Sequence, residues 1–213
     1  MKNFILLFLF ICPTLAIAQH PVENLDGNIY PEELANYQEI VLTDKYSLYK
    51  KIDSDYIYLS IQSQKIYVAS LCIENKDQIS ILHASSALGK IDYQKRDRDW
   101  ATTEDFNWGM REGEMDEETI QKRLYYLEEF GWVANTMDMG EVGNTEFILE
   151  RSLFSEPRIS IAAGLIPASN PEFIIPIPSE TAGECASNSL VAGSPDEEYS
   201  FDPDSWIKIN LSN

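Results

Sequence analysis

The chain of 213 residues has only two histidines, His20 and His83. His83 stands two residues before a pair of serines in "ILHASSALG", residues 81–89. A histidine near a serine is the material of nucleophilic catalysis, in which the imidazole takes the hydroxyl proton and an acid orients the ring. An exported hydrolase using His83 and Ser85 is therefore one reading of the stretch. Two features weigh against it. On one strand the two residues share a face but stand about 6–7 Å apart at their backbones, given the rise per residue, which suits a direct pair poorly. The stretch also lacks the glycines of G-x-S-x-G that allow a sharp nucleophile turn. It reads better as a strand leaving through a turn, with Gly89 free to take a positive φ. His83 then follows Ile79 and Ile81 on an apolar face as a satisfied, partly buried histidine.

The aromatic residues offer a second chemistry. Trp100, Phe106 and Trp108 fall in a loop-like stretch, "RDRDWATTEDFNWGMREGEMD", beside Asp99, Glu104, Asp105, Asn107 and Arg111. Aromatic faces next to carboxylates and amides suit sugar recognition, because CH groups stack on the ring while hydroxyls find acceptors. Trp100, Asp105, Trp108 and Arg111 are the candidate ligand-binding residues, with a neutral glycan as the expected ligand. The competing reading places these rings in the core between helix and sheet.

Metal and haem chemistry is poorly served. Structural zinc needs four closely spaced His or Cys ligands, and no such cluster exists. Ca2+ takes oxygen ligands, which Asp92–Asp99 ("DYQKRDRD") and Asp196–Asp204 ("DEEYSFDPD") would offer. Neither matches the calcium-loop signature, and both read as solvated acidic loops. His83 with Met110, Met137 or Met139 would make a soft axial pair for haem iron, but no C-x-x-C-H attachment site is present and methionines commonly fill gaps in cores. The expectation is a chain without a cofactor, with Ca2+ and haem as the alternatives.

These residues must be positioned by strands. "KYSLYKKI", "DYIYLSI", "KIYVASLCI" and "QISILHA" are short runs rich in Tyr, Ile, Leu and Val, separated by Asp53-Ser-Asp55, Ser63-Gln64 and Asn75-Lys-Asp77. Ile57, Leu59 and Ile61 alternate with Tyr56, Tyr58 and Ser60, the period of two expected when one face is buried. One amphipathic helix is predicted over 117–130. Asp116 is its N-cap, Glu117 and Glu118 fill the first turn, and Ile120, Leu124 and Leu127 share a face; Glu118 and Lys122 pair four apart, and Gly131 stops the run. Strands resume at "TEFILERSL" and "RISIAAGLI". Prolines at 167, 171, 176, 178, 195 and 203 make central strands improbable beyond that point, so this segment is expected to wrap the domain. The fold class is mostly β: an antiparallel β-sandwich, jelly-roll or Ig-like, with the helix inserted.

The N-terminus "MKNFILLFLFICPTLAIAQH" has Lys2, an apolar run from Phe4 to Cys12, and the small-x-small site Ala16-Ile17-Ala18. It reads as a cleavable secretory signal over 1–18, the run being far below the about 18 residues that span a bilayer. A single domain over 19–213 is then expected, periplasmic or extracellular, with no membrane anchor after cleavage. The formal net charge is −19, and losing Lys2 makes it one unit more negative. Such a surface repels nucleic acid and anionic lipid, which bind through basic patches. A neutral glycan or an exported protein remains as partner. Cys72 and Cys185 are the mature thiols, and an oxidising compartment permits a bridge between them.

The stretches "LDGNIYPEELANYQEI" and "YSLYKKIDSDYIYLSIQSQ" resemble the opening of DOMON-like domains and of family-9 carbohydrate-binding modules, with a short "DG" segment, an exposed strand and an acidic-x-Tyr-Leu-Tyr-Leu strand. "LHASSALGKIDY", "DFNWGMR", "GWVANTMDMG", "TEFILER" and "FDPDSW" look like exported bacterial proteins of that kind. The resemblance implies a β-sandwich with a helical insertion that binds sugar or haem without catalysis. Leu34 stands where the family often has tryptophan, and no site residue is carried over.

Overall fold

Ile57, Leu59 and Ile61 are buried while Tyr56 and Tyr58 between them are only half-buried, so the alternation read from the sequence sets the faces of the central strand. The computed structural model describes residues 21–63, 68–85, 87–97, 99–103, 107–111, 117–136, 143–164, 174–178, 185 and 198–212, without the side chains of residues 23, 107–111, 143, 174, 198 and 199. In chain order the elements are α1 (Pro31–Leu34), β1 (Gln38–Leu42), β2 (Tyr46–Ile52), β3 (Tyr56–Ser63), β4 (Val68–Asn75), β5 (Gln78–Ala84), β6 (Ala87–Arg96), β7 (Asp99–Thr102) and β8 (Asn107–Arg111). They continue with α2 (Glu117–Phe130), β9 (Trp132–Thr136), β10 (Gly143–Glu150), β11 (Arg158–Gly164), β12 (Ile174–Ile177), β13 (Glu198–Tyr199) and β14 (Ile207–Lys208).

The strands form two antiparallel sheets, and the fold is a β-sandwich. The first has the order β1-β2-β3-β10-β9; the second has β12-β11-β4-β5-β6-β7-β13, with β14 beside β11 and β8 beside β6. Leu48, Leu59, Ile61, Phe147 and Leu149 of the first sheet share one apolar core with Leu71, Ile73, Leu82, Ile159 and Ile161 of the second. Burying such aliphatic and aromatic side chains contributes about 1.5–3 kcal/mol each, the main stabilisation of the sandwich.

Strand alternation puts a second cluster on the far face of the second sheet. Cys72, Ile79, Ile81, Ile91, Tyr93 and Trp100 meet Cys185, Phe201 and Trp206 there, so these C-terminal residues cover that face. Cys72 and Cys185 form a disulfide, with Cα atoms 5.7 Å apart.

Helix α2 occupies the predicted span. Ile120 and Leu124 pack partly buried against the main core and Leu127 is inside it. Its buried side also carries Arg123, 1% exposed, which the apolar spacing did not announce. Glu118 and Lys122 pair at 2.6 Å in solvent.

Three local expectations are corrected. The link after β5 is only residues 85 and 86 long, because the Ser85 hydroxyl and backbone close it. Ala87 N–H donates to Ser85 Oγ at 3.3 Å and Ser85 N–H to Ala87 O at 3.1 Å. Gly89 accordingly lies within β6, opposite His83, and is not among the positive-φ glycines, Gly27 and Gly131. Trp100 and Trp108 do not lie in a loop: the first lies on β7 and the second on β8, both paired to β6.

Candidate functional site

The alternative Ser-His pair does not form, and His83 is held by a different serine. His83 is 1% exposed and its Nδ1 shares a hydrogen bond with Ser70 Oγ, 3.0 Å away on β4. Ser85 Oγ instead donates to Ala87 O at 3.2 Å within the turn. Ser70 is itself buried, so neither hydroxyl combines contact with the ring and access to solvent. Burial pushes the His83 pKa down to about 4, keeping the ring neutral.

Trp100 does not present a platform. Its ring is 2% exposed and meets Phe201 edge to face at 6.2 Å, while Lys95 Nζ lies 5.5 Å from its centroid. Packing of C-terminal residues onto that face of the sheet hides the ring. Asp105 lies outside the described residues, and of Trp108 and Arg111 only the backbone, on β8, is described. The haem reading rests partly on Met137 and Met139, which lie outside the described residues, and on Met110, whose side chain does.

The first acidic stretch is a strand and a turn. Asp92 sits on β6, accepts from Ser80 Oγ at 2.6 Å and pairs with Lys90 at 3.0 Å. Asp97 takes the turn with φ 55°, and Asp99 begins β7. Asp204, from the second stretch, pairs with Arg158 at 3.0 Å. Among the described residues no group of three or more His, Cys, Asp or Glu side chains is gathered to hold a metal ion. No described helix is long and apolar enough to cross a membrane.

The most structured polar site lies elsewhere, on the outer face of the first sheet. Register places Tyr49, Ser60, Glu146 and Asn135 in one row across β2, β3, β10 and β9, and Lys51, Tyr58 and Ile148 in the next. All lie on the opposite face of the sheet from their neighbours Leu59, Ile61 and Phe147, as strand alternation requires, and Ile148 is itself buried there. Residues 21–37 cross above this face. Arg123 Nη1 of α2 and Asn135 Nδ2 of β9 both donate to Leu25 O, at 2.5 and 3.0 Å, which fastens the segment down. Between it and the sheet opens a cleft of about 470 Å³ lined by Glu33, Tyr37, Lys51, Asp53, Tyr58 and Glu146, among others. That volume falls in the range of about 300–1,000 Å³ usual for small-ligand sites.

The cleft is built on fixed side chains. Asp53 Oδ1 accepts the backbone N–H groups of Asp55 and Tyr56 at 2.9 and 2.7 Å, and its Oδ2 accepts the Tyr58 hydroxyl at 3.0 Å. Lys51 Nζ lies over Tyr58 at 4.4 Å and within 5.9 Å of the Tyr37 centroid. Ser60 hydrogen-bonds the Tyr37 hydroxyl, whose pKa burial pushes up to about 12. Both phenols therefore stay protonated at neutral pH.

Glu146 is the anomaly. It is 8% exposed, and its Oε2 is buried with no hydrogen-bond partner. Burial, then the negative charges of Glu33 and Asp26, raise its pKa to about 8 against a bond from the Gly27 backbone and the charge of Arg123. Asn144, two residues earlier on the same face, leaves its Oδ1 buried without a partner too. The sequence held a faint signal of this in "TEFILER", where an acid interrupts an apolar strand. Tyr37, Lys51 and Asp53 gave none.

The chain matches no family model, no curated protein and no solved structure.

Proposed function

We propose that the protein is an exported, non-catalytic glycan-binding module whose site is the cleft under residues 21–37. One observation carries the reading: the outer face of the first sheet bears two tyrosine rings, a lysine and carboxyl groups around a small-ligand-sized cleft. A sugar needs ring faces for its CH groups and a mixture of donors and acceptors for its hydroxyls. Tyr37 and Tyr58 supply the first; Ser60, Lys51, Asp53 and Glu146 supply the second. The likeness of the opening strands to DOMON-like and family-9 carbohydrate-binding modules adds support, and the leader-like N-terminus supports export.

The test is a glycan array followed by thermal shift on the purified protein, since a ligand bound only to the native state raises its melting temperature. A hit is expected whose shift falls at least tenfold in apparent affinity in Lys51→Ala and stays unchanged in Trp108→Ala. The opposite pattern would move the site to β8. Silence on every glycan would end the reading.

A further inference from the structure

The carboxyl groups around the cleft differ in how they are occupied. Asp53 is saturated by two backbone N–H groups and a phenol. Glu33 accepts the Tyr30 N–H at 2.8 Å, and Asp26 that of Asn28 at 2.7 Å. Among these only Glu146 keeps a buried oxygen without a partner, and it lines the cleft.

A buried acceptor left unmatched costs about 1–3 kcal/mol, more if it is charged, so such a group in a cleft rewards a ligand that brings it a donor. A neutral hydroxyl would satisfy the bond but not the field. Glu146 is faced by Asp26 from the N-terminal segment, Glu33 from α1, Tyr37 beyond α1 and Arg123 from α2. Glu32, Glu33 and Asp53 line the same cleft against Lys51, whose ammonium lies over a tyrosine ring. The arrangement suits a cation, and aromatic faces reward one as well. With too few carboxylates converging for a metal ion among the described residues, an organic ammonium fits the chemistry.

Resting on the glycan reading above, we infer that the ligand is an amino sugar, its protonated amine docking on Glu146 Oε2 while Tyr37 and Tyr58 take the ring and Asp53, Ser60 and Lys51 meet hydroxyls. Docking turns a neutral buried acid into a carboxylate paired with an ammonium, and the carboxyl proton leaves to solvent.

The experiment titrates the purified protein by calorimetry at pH 5.5, where the free amines are fully protonated, in two buffers of different ionisation enthalpy, with glucosamine oligomers and with N-acetylglucosamine oligomers of the same length. At least tenfold preference for the free amine is expected, with release of roughly one proton per site on binding it. Glu146→Gln should abolish the preference and the proton release while retaining weak binding of both oligomers. Equal affinity for the two oligomers, or preference without proton release, overturns the inference and leaves the glycan reading standing. A preference that survives Glu146→Gln overturns it as well, by placing the amine elsewhere. Binding of neither oligomer, with other glycans bound, refutes the amino sugar; binding of no glycan at all refutes both readings. If Glu146→Gln does not fold, the proton count on the unaltered protein decides.

Discussion

His83 and Glu146 are buried titratable side chains whose protons respond to folding in opposite directions. The folded His83 has its pKa lowered from 6.5 to about 4, and the folded Glu146 has its own raised from 4.5 to about 8, burial being the leading cause in both. Below its unfolded pKa, His83 takes up a proton on unfolding that the native ring refuses, so its contribution to stability is lost as pH falls from 6.5 towards 4. Glu146 stabilises below its unfolded pKa and loses that contribution as pH rises through about 8, because the native state retains a proton that the unfolded chain gives up. From pH 4.5 to 6.5 the two slopes offset each other. From pH 6.5 to 8 only Glu146 acts, and its contribution should fall by about 2 kcal/mol at 1.36 kcal/mol per unit. A pH series of urea melts should show the decline in the native protein and a flat limb in Glu146→Gln. An alkaline limb of equal slope in the variant would acquit Glu146.

At the scale of elements, the joint between α2 and β9 depends on one glycine. Gly131 ends the helix with φ +71°, its N–H donating to Leu127 O at 2.8 Å and its carbonyl accepting Glu150 N–H at 2.7 Å. Those bonds aim β9 along β10 and so set the row that contains Asn135 and Glu146. Gly131→Ala should cost about 1–2 kcal/mol from the left-handed backbone. A new Cβ would also collide with Leu153 Cδ1, but that side chain is 48% exposed and can swing aside. Adding Leu153→Ala should therefore recover less than half of the loss in denaturant melts. Full recovery would mean that collision, not φ, dominates.

At the scale of the molecule, the second sheet is buried on both faces, by the sandwich core on one side and by C-terminal residues on the other. The bridge from Cys72 to Cys185 closes 113 residues of chain and ties the two together. Restricting so long a loop in the unfolded state stabilises by about 2–5 kcal/mol. Cys72→Ala with Cys185→Ala should lower stability by that amount in urea unfolding. No change in midpoint would show that packing of Phe201 and Trp206 alone holds this face.

The sequence by itself determined what depends on neighbours along the chain. Alternation of Ile57, Leu59 and Ile61 with tyrosines is a period of two, and Ile120, Leu124 and Leu127 follow the helical period, so the sandwich class and the span of α2 were legible. What two strands do to each other was not. A satisfied His83 was legible, but its partner was not: pairing of β4 with β5 places Ser70 against the ring. Trp100 in its polar segment reads either as a sugar platform or as core, and Phe201, about a hundred residues later in the chain, decides for core by covering it. The cleft is the extreme case: Glu146, Ser60, Tyr58 and Lys51 come from three strands, and Tyr37 from the segment laid across them. Only tertiary structure gathers these residues, because strand register and the burial that shifts a carboxyl's proton affinity are properties of the folded neighbours rather than of the local chain.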